Sequence, residues 1–332
     1  MTYNADMISR VLMSASLAAS LTGLSAAGYE GFGATVGGDQ SPVAQVTSLA
    51  DDGPGSLREA VRQGNRRIVF AKPGTIQLKK ILRINQSKLT LDGFNSSVNI
   101  TGAPVAIEHA SDVIVRYLRF RNSPDDNLRI VGGCRRVVVD HCTSTGAGDG
   151  ALDITIDYDQ PLKRPTDITV SWCIFAKTKK AMLVSSADNL SLHHNLFLDN
   201  EQRNPQLHDA RNFDVRNNVI HRWGIYGLRA RAGSTGNVMF NVLGPGTNPK
   251  KNQELALVIM GAGEAKGASG PVHAEGNLGP GNLNLNTKST APKTLPAPRV
   301  TLWTPAQAYR HILQHAGARP LDKVDQALLK GL

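Results

Sequence analysis

Residues 190–197 read LSLHHNLF, residues 213–220 FDVRNNVI and residues 236–243 GNVMFNVL. Laid over one another without gaps, they place Asn195, Asn218 and Asn241 in one column at spacings of 23 residues. The frame extends back through ITVSWCIF (168–175), VVVDHCTS (137–144) and VIVRYLRF (113–120), where the column holds Cys173, Cys142 and Leu118. Five positions earlier stand Val113, Val137, Ile168, Leu190, Phe213 and Gly236, and three earlier Val115, Val139, Val170, Leu192, Val215 and Val238. Two positions later stand Phe120, Ser144, Phe175, Phe197, Ile220 and Leu243. Self-similarity at 20–30 residues is the mark of a solenoid. Each unit has too few apolar residues for a core of its own, and stacking supplies one. Alternating apolar positions point to strands with one face inward. The Asn column suits a hydrogen-bonded ladder at a turn, where Asn tolerates left-handed backbone. The LxxLxLxxN spacing of leucine-rich repeats is absent. The expectation is an all-β chain, a right-handed parallel β-helix.

The repeat is clearest over 113–243 and weaker outside it. Ser56-Leu57-Arg58-Glu59 is a capping-box pattern that predicts a short helix closing one end. Residues 244–300 are rich in Gly, Pro, Asn and Lys and read as irregular loops. Thr304-Pro305 opens a helical segment over 304–330, with Ala306, Tyr309, Ile312 and Leu313 on one face and Gly317 as a stop, expected to pack outside the solenoid. Val11–Leu24 is uncharged and apolar, and Ser25-Ala26-Ala27 follows with small residues. Residues 1–27 therefore read as a secretory leader, and 28–332 as a single domain.

The chain has 332 residues, with 37 Lys+Arg against 27 Asp+Glu. The apolar fraction of 41% excludes a wholly disordered chain, and interrupted apolar runs exclude a multi-span membrane protein. A net charge of +10 points to a polyanionic partner. Aromatic residues are only 5% and are not interleaved with basic ones, which disfavours nucleic acid. Cys134, Cys142 and Cys173 are an odd number, and the last two occupy equivalent places on neighbouring coils, as buried thiols would. No CxxC pair is present, which argues against a zinc site.

Inward side chains three and five before the Asn column put the position two before it on the outside. Asp140 falls there, exposed on the sheet by this reading, and Asp149 and Asp153 follow in GDGALD. Three carboxylates without Cys or His partners suit a hard cation such as Ca²⁺. Asp125 and Asp126, one coil earlier, are candidate outer ligands. Counted from the column, Asp149 and Lys180 lie at +7 of successive coils and Arg203 at +8 of the next. With strands about 4.8 Å apart, these three line up along the solenoid over about 10 Å. Such a row suits successive carboxylates of an acidic chain.

These residues also resemble a known family. AAGYEGFGATVGG (26–38), VTSLADDGPGSLREAV (46–61), VVVDHC (137–142), DGALDIT (149–155), ITVSWCIF (168–175), KAMLVSS (180–186), RNPQ (203–206) and AYRHILQHAGARPLDKVDQALL (308–329) are similar, in the same order, to motifs of pectate lyases of polysaccharide lyase family 1. The resemblance implies a secreted, monomeric enzyme that cleaves polygalacturonate by Ca²⁺-dependent β-elimination. It implies Asp140, Asp149 and Asp153 as metal ligands, Lys180 on the substrate carboxylate, and Arg203 as the group that takes the proton. The family pattern continues R-x-P-x-x-R, whereas here the last position is His208. Either His208 or the nearby Arg211 then takes that substrate contact. Two rival readings remain at this point: a non-catalytic solenoid that binds acidic polysaccharide, and a polygalacturonase-type hydrolase on the same fold, which needs a protonated carboxylic acid beside a carboxylate.

Overall fold

The computed structural model describes residues 28–248, 250, 253–261 and 267–332; the expected leader over 1–27 lies outside the described residues. The chain winds as a parallel β-helix with three sheets. Sheet I has ten strands, from Val43–Val46 to Val272–Glu275. Sheet II has eight, from Gly74–Gln77 to Val242–Leu243, and sheet III has eight, from Leu82–Ile84 to Leu257–Ile259. A coil gives each sheet one strand, as Arg135–Asp140, Thr143–Thr145 and Gly150–Thr155 do in turn.

The repeat columns are the strand register. Val113, Val137, Ile168, Leu190, Phe213 and Gly236 are successive partners in sheet I. Phe120, Ser144, Phe175, Phe197, Ile220 and Leu243 are partners in sheet II. Their side chains fill one continuous core, and Phe175 stacks on Phe197 with ring centroids 5.2 Å apart. The Asn ladder is present: the backbone N–H and side-chain amide of Asn195 both donate to Asn218 Oδ1 at 3.0 Å, and Asn218 donates likewise to Asn241. It runs one rung further, to Asn277, after an interval of 36 residues. The left-handed backbone belongs to the residue before the ladder: Tyr117, His141, Trp172, His194, Asn217 and Phe240 have φ of 49–59°. That turn swings their side chains outside, where Tyr117, His141, Trp172 and His194 stack in a row. All three cysteines are free and buried.

Ser56 caps a short helix α1, Leu57–Ala60, by accepting the Glu59 N–H, while the Glu59 carboxylate takes the Gly55 N–H and leaves the capping box half formed. The C-terminal segment forms two helices, α2 (Pro305–His315) and α3 (Lys323–Leu329). The α2 residues Ala308, Tyr309 and Ile312 pack on the outer face of sheet II against Ile174, Leu196, Leu198 and Val219. On α3, the fully buried Asp325 receives Arg119 Nε at 2.9 Å and Arg121 at 2.7 Å.

Two extended straps cover the outer face of sheet I. In the N-terminal strap, Gly33 N–H donates to Thr169 Oγ1 at 2.9 Å and Gly38 N–H to Thr90 Oγ1 at 3.0 Å. A Cβ on Gly33 would meet Thr169 N at 2.4 Å, so only glycine allows this approach to the sheet backbone. From the C-terminal side, Thr301 bonds the Glu30 carboxylate, and Leu295 C=O accepts from the Asn237 amide at 3.0 Å. This corrects the expectation of an exposed Asp140. The residue does point outward, but the strapped face leaves it only 6% exposed.

Candidate active site

The candidate residues gather on the outer face of sheet III. Its register sets Arg129, Asp153, Leu183, Gln206 and Arg229 side by side on successive coils. The next outward row is Thr155, Ser185, His208 and Arg231. Between them Leu152, Ile154, Met182, Val184, Leu207, Leu228 and Ala230 point into the core, as the pleat demands.

Asp149 lies one coil on from Asp125, its N–H donating to Asp125 C=O at 3.3 Å. Asp125, Asp126 and Asp149 each bring a carboxylate oxygen within 4.8 Å of the others. Asp153 joins them from the strand. Burial pushes its carboxyl up to about 7, with the Asp126 charge adding to the effect. Burial raises Asp126 as well, against the pull of Arg129. Asp126 Oδ1 also accepts the Gly150 N–H at 2.7 Å. A Cβ on Gly150 would sit 2.6 Å from Asp153 Oδ1 and 2.7 Å from Asp126 Oδ1, so the glycine leaves room for the two carboxylates to converge. Four carboxylates with no nitrogen or sulfur donor form a hard-oxygen set, the chemistry Ca²⁺ takes. Two cations lean on the cluster: Arg129 pairs with Asp125 and Asp126, and the Lys180 ammonium with Asp149.

The structure does not bring Asp140 to this cluster. It ends a strand of sheet I, where its carboxylate accepts Ser171 Oγ–H at 2.6 Å and contacts His141 Nδ1 at 2.6 Å. Asp125 and Asp126, set down as outer candidates, stand in its place. Their signal in the sequence was the interval of 24 residues from Asp125 to Asp149, one coil.

Lys180 and Arg203 occupy successive rungs. Lys180 N–H donates to Asp149 C=O at 3.3 Å, and Met182 N–H to Arg203 C=O at 2.8 Å. Arg203 takes a left-handed φ of 62° at the turn into Gln206–His208, and its positive charge acts on Asp153. His208 is the partner of Arg231 on the next coil; burial, then Arg231, hold its imidazole below the ordinary histidine range. Arg211 is elsewhere. It begins a sheet I strand, and its guanidinium pairs with Asp209 at 3.2 Å. Two residues escaped the sequence reading. Arg229 lies over the Tyr226 ring at 4.0 Å and donates to Gln206 Oε1, and Arg231 stands beside His208. Burial, and then the neighbouring guanidiniums Arg231 and Arg203, lower the pKa of Arg229. Their signal was again the interval: 23 residues separate Gln206 from Arg229 and His208 from Arg231.

The face thus runs from a carboxylate cluster, through an ammonium, to three guanidiniums and a neutral imidazole. Such a row of side chains can take a divalent ion at one end and an extended anionic ligand along the rest.

Comparison with known proteins bears on the fold. Residues 84–243 match the right handed beta helix region family. A probable pectate lyase C of Aspergillus flavus is 32% identical over 230 residues, 65% of this chain and 52% of that protein. One from Neosartorya fischeri is 28% identical over 327 residues, 91% of this chain and 75% of that protein. The chain thus spans about half the length of the Aspergillus relative. Among solved structures, the cedar pollen allergen jun a 1 superposes with a TM-score of 0.70 at 19% identity, covering 87% of this chain and 92% of that one. The pectate lyase Bsp165PelA of Bacillus sp. N165, in complex with trigalacturonate, superposes with a TM-score of 0.63 at 18% identity, covering 88% and 99%.

Proposed function

From a chain that is a right-handed β-helix relative of the pectate lyases, we propose a secreted pectate lyase that cleaves polygalacturonate by β-elimination with Ca²⁺. The observation that carries the reading is the row on sheet III: four converging carboxylates, then Lys180, then Arg203, on neighbouring coils. We infer a monomer from the family resemblance alone. No described helix is long and apolar enough to cross a membrane, and the apolar leader at 1–27 is the proposed export signal.

Asp125, Asp126, Asp149 and Asp153 would hold the ion. When bound, Ca²⁺ draws charge from a substrate carboxylate and so acidifies the C–H beside it. Lys180, whose ammonium pairs with Asp149 at the edge of the cluster, would take the uronate carboxylate. The proton on C5 of a galacturonate is α to that carboxylate. Its removal builds negative charge on the carboxylate oxygens, which fixed cations stabilise without reorganising. Arg203 in its neutral guanidine form takes the C5 proton, becomes the guanidinium, and returns that proton to the hydroxide left when water protonates the leaving oxygen. The C5–H electron pair forms the C4–C5 double bond as C4–O4 breaks, and the leaving oxygen takes a proton from water. A guanidinium is an unusual base because it holds its proton tightly. Arg229 and Arg231 pair with Gln206 and His208 on the next rung of the sheet. They also stand where further carboxylates of the polymer would lie, beside His208 in the position of the family's second arginine.

The raised Asp153 beside Asp126 favours a second reading, a hydrolase with a protonated acid. One assay separates the two. Purified protein is incubated with polygalacturonate across calcium concentrations. The lyase gives an ultraviolet-absorbing unsaturated product that a chelator abolishes. New reducing ends without that absorbance, unaffected by chelator, would establish hydrolysis instead. Binding without either product would leave a non-catalytic solenoid.

A further inference from the structure

We propose that Glu30, His193 and His194 form a second metal site, for Zn²⁺ or a similar first-row divalent ion, beneath the straps of sheet I. One ring nitrogen of each histidine and a Glu30 carboxylate oxygen all lie within 4.8 Å of one another. Two imidazoles and a carboxylate are a borderline-soft donor set that suits zinc rather than calcium. The absence of a CxxC pair therefore does not bear on this site, whose donors are imidazoles rather than thiols.

The surroundings fit a ligand set better than a resting pair of polar side chains. His193 and His194 are 3% and 1% exposed. Their Nδ1 atoms face each other at 2.9 Å, so they share one proton, and the Nε2 atoms of both are buried without a hydrogen-bond partner. The Glu30 carboxylate is already oriented: Thr301 Oγ–H donates to Oε1 at 2.6 Å and Thr301 N–H to Oε2 at 2.9 Å. Such outer bonds fix a metal-ligating carboxylate and leave lone pairs for the ion. Asp140 and Asp214 add negative charge near His193. His194 is held on its other side by Trp172 and Trp303, at 4.6 and 4.7 Å between ring centroids. A three-ligand site leaves a fourth position for water. The ion would staple the N-terminal strap to sheet I, and through Thr301 the C-terminal strap as well.

The test uses the purified protein, stripped with chelator and held in excess Ca²⁺ to saturate the carboxylate cluster. Equilibrium dialysis against Zn²⁺ with elemental analysis is expected to give one zinc per chain. Co²⁺ in its place is expected to give visible d–d bands of a nitrogen–oxygen site, a readout that needs no variant. Glu30→Gln and His193→Asn should each weaken Zn²⁺ binding at least tenfold, while Asp126→Asn should leave it unchanged. Zinc should also raise the melting temperature of the wild type but not of Glu30→Gln. The site is overturned if the wild type takes up no stoichiometric zinc and gives no cobalt spectrum. It is equally overturned if Asp126→Asn, rather than Glu30→Gln, removes the bound ion.

Discussion

The outer faces of sheets I and III come from the same coils and both carry a file of charged side chains, yet they are put to different use. On sheet I the charges cancel locally: Arg116 bridges Asp92 and Asp39, Arg67 also pairs with Asp92, and Arg216 pairs with the fully buried Asp214. Two straps then exclude solvent. On sheet III like charges are left together. Arg203 and Arg231 both lower the pKa of Arg229, and Asp126 raises that of Asp153. Like-charge crowding costs stability in an empty groove, and it persists where a ligand of opposite sign relieves it. The coil period decides which side chains point outward. What lies over them is decided by distant segments.

The comparison breaks first, and most severely, at Arg203. Arg203→Ala should lower turnover of polygalacturonate by about 10³-fold, within the range for loss of a positioned proton-transfer group. The melting temperature should hold, since no described ion pair involves its side chain. A rate within tenfold of wild type would remove Arg203 from the mechanism. Next comes the pair Asp126 and Asp140, matched in charge and in burial but set on different sheets. Asp126→Asn should raise the calcium concentration for half-maximal rate at least about tenfold. Asp140→Ala should leave that concentration unchanged and instead cost about 1–3 kcal/mol of stability, as Ser171 and His141 lose their acceptor. A calcium phenotype in Asp140→Ala would return that residue to the metal site.

A third, smaller effect concerns recognition. Arg231→Ala should raise KM for the polymer about tenfold, the worth of one charge-assisted hydrogen bond, with kcat less affected. Arg211→Ala should change neither, because its guanidinium is turned to Asp209 on another sheet. Saturation curves for the two variants decide it. Equal behaviour would mean that sheet III does not bind the chain as drawn.

These contrasts also mark how far the sequence could be read. The columns through Val137 and Phe175 were legible because stacking imposes one period on residues that must meet. The ladder to Asn277 was not, since a long excursion breaks the count without breaking the stack. Asp140 was placed on the correct side of its strand but assigned the wrong surroundings. Nothing within one coil announces that Gly33 and Thr301, far away in the chain, will lie over that face. That Lys180 and Arg203 fall on successive rungs was legible from spacing. Arg229 and Arg231 were open to the same count of 23 and were passed over, because no family motif marks them.

The least effect tests burial itself, on the third face, where α2 packs against the strand Val219–His221. Burial pushes the His221 imidazole down to about 4, and Arg222 adds to that. In the unfolded chain the group titrates near 6.5. Between these values the unfolded state holds a proton that the folded state does not, so stability rises with pH across the interval. His221 therefore costs nothing above pH 6.5, destabilises progressively as pH falls towards 4, and adds no further loss below that. Urea melts of wild type and His221→Gln at pH 7.5 and pH 4.5 should show a smaller acid loss in the variant. His193 and His194 remain in both proteins and cancel in the difference. An equal loss would mean that water reaches His221 beneath α2, and that this face is less closed than the strapped one.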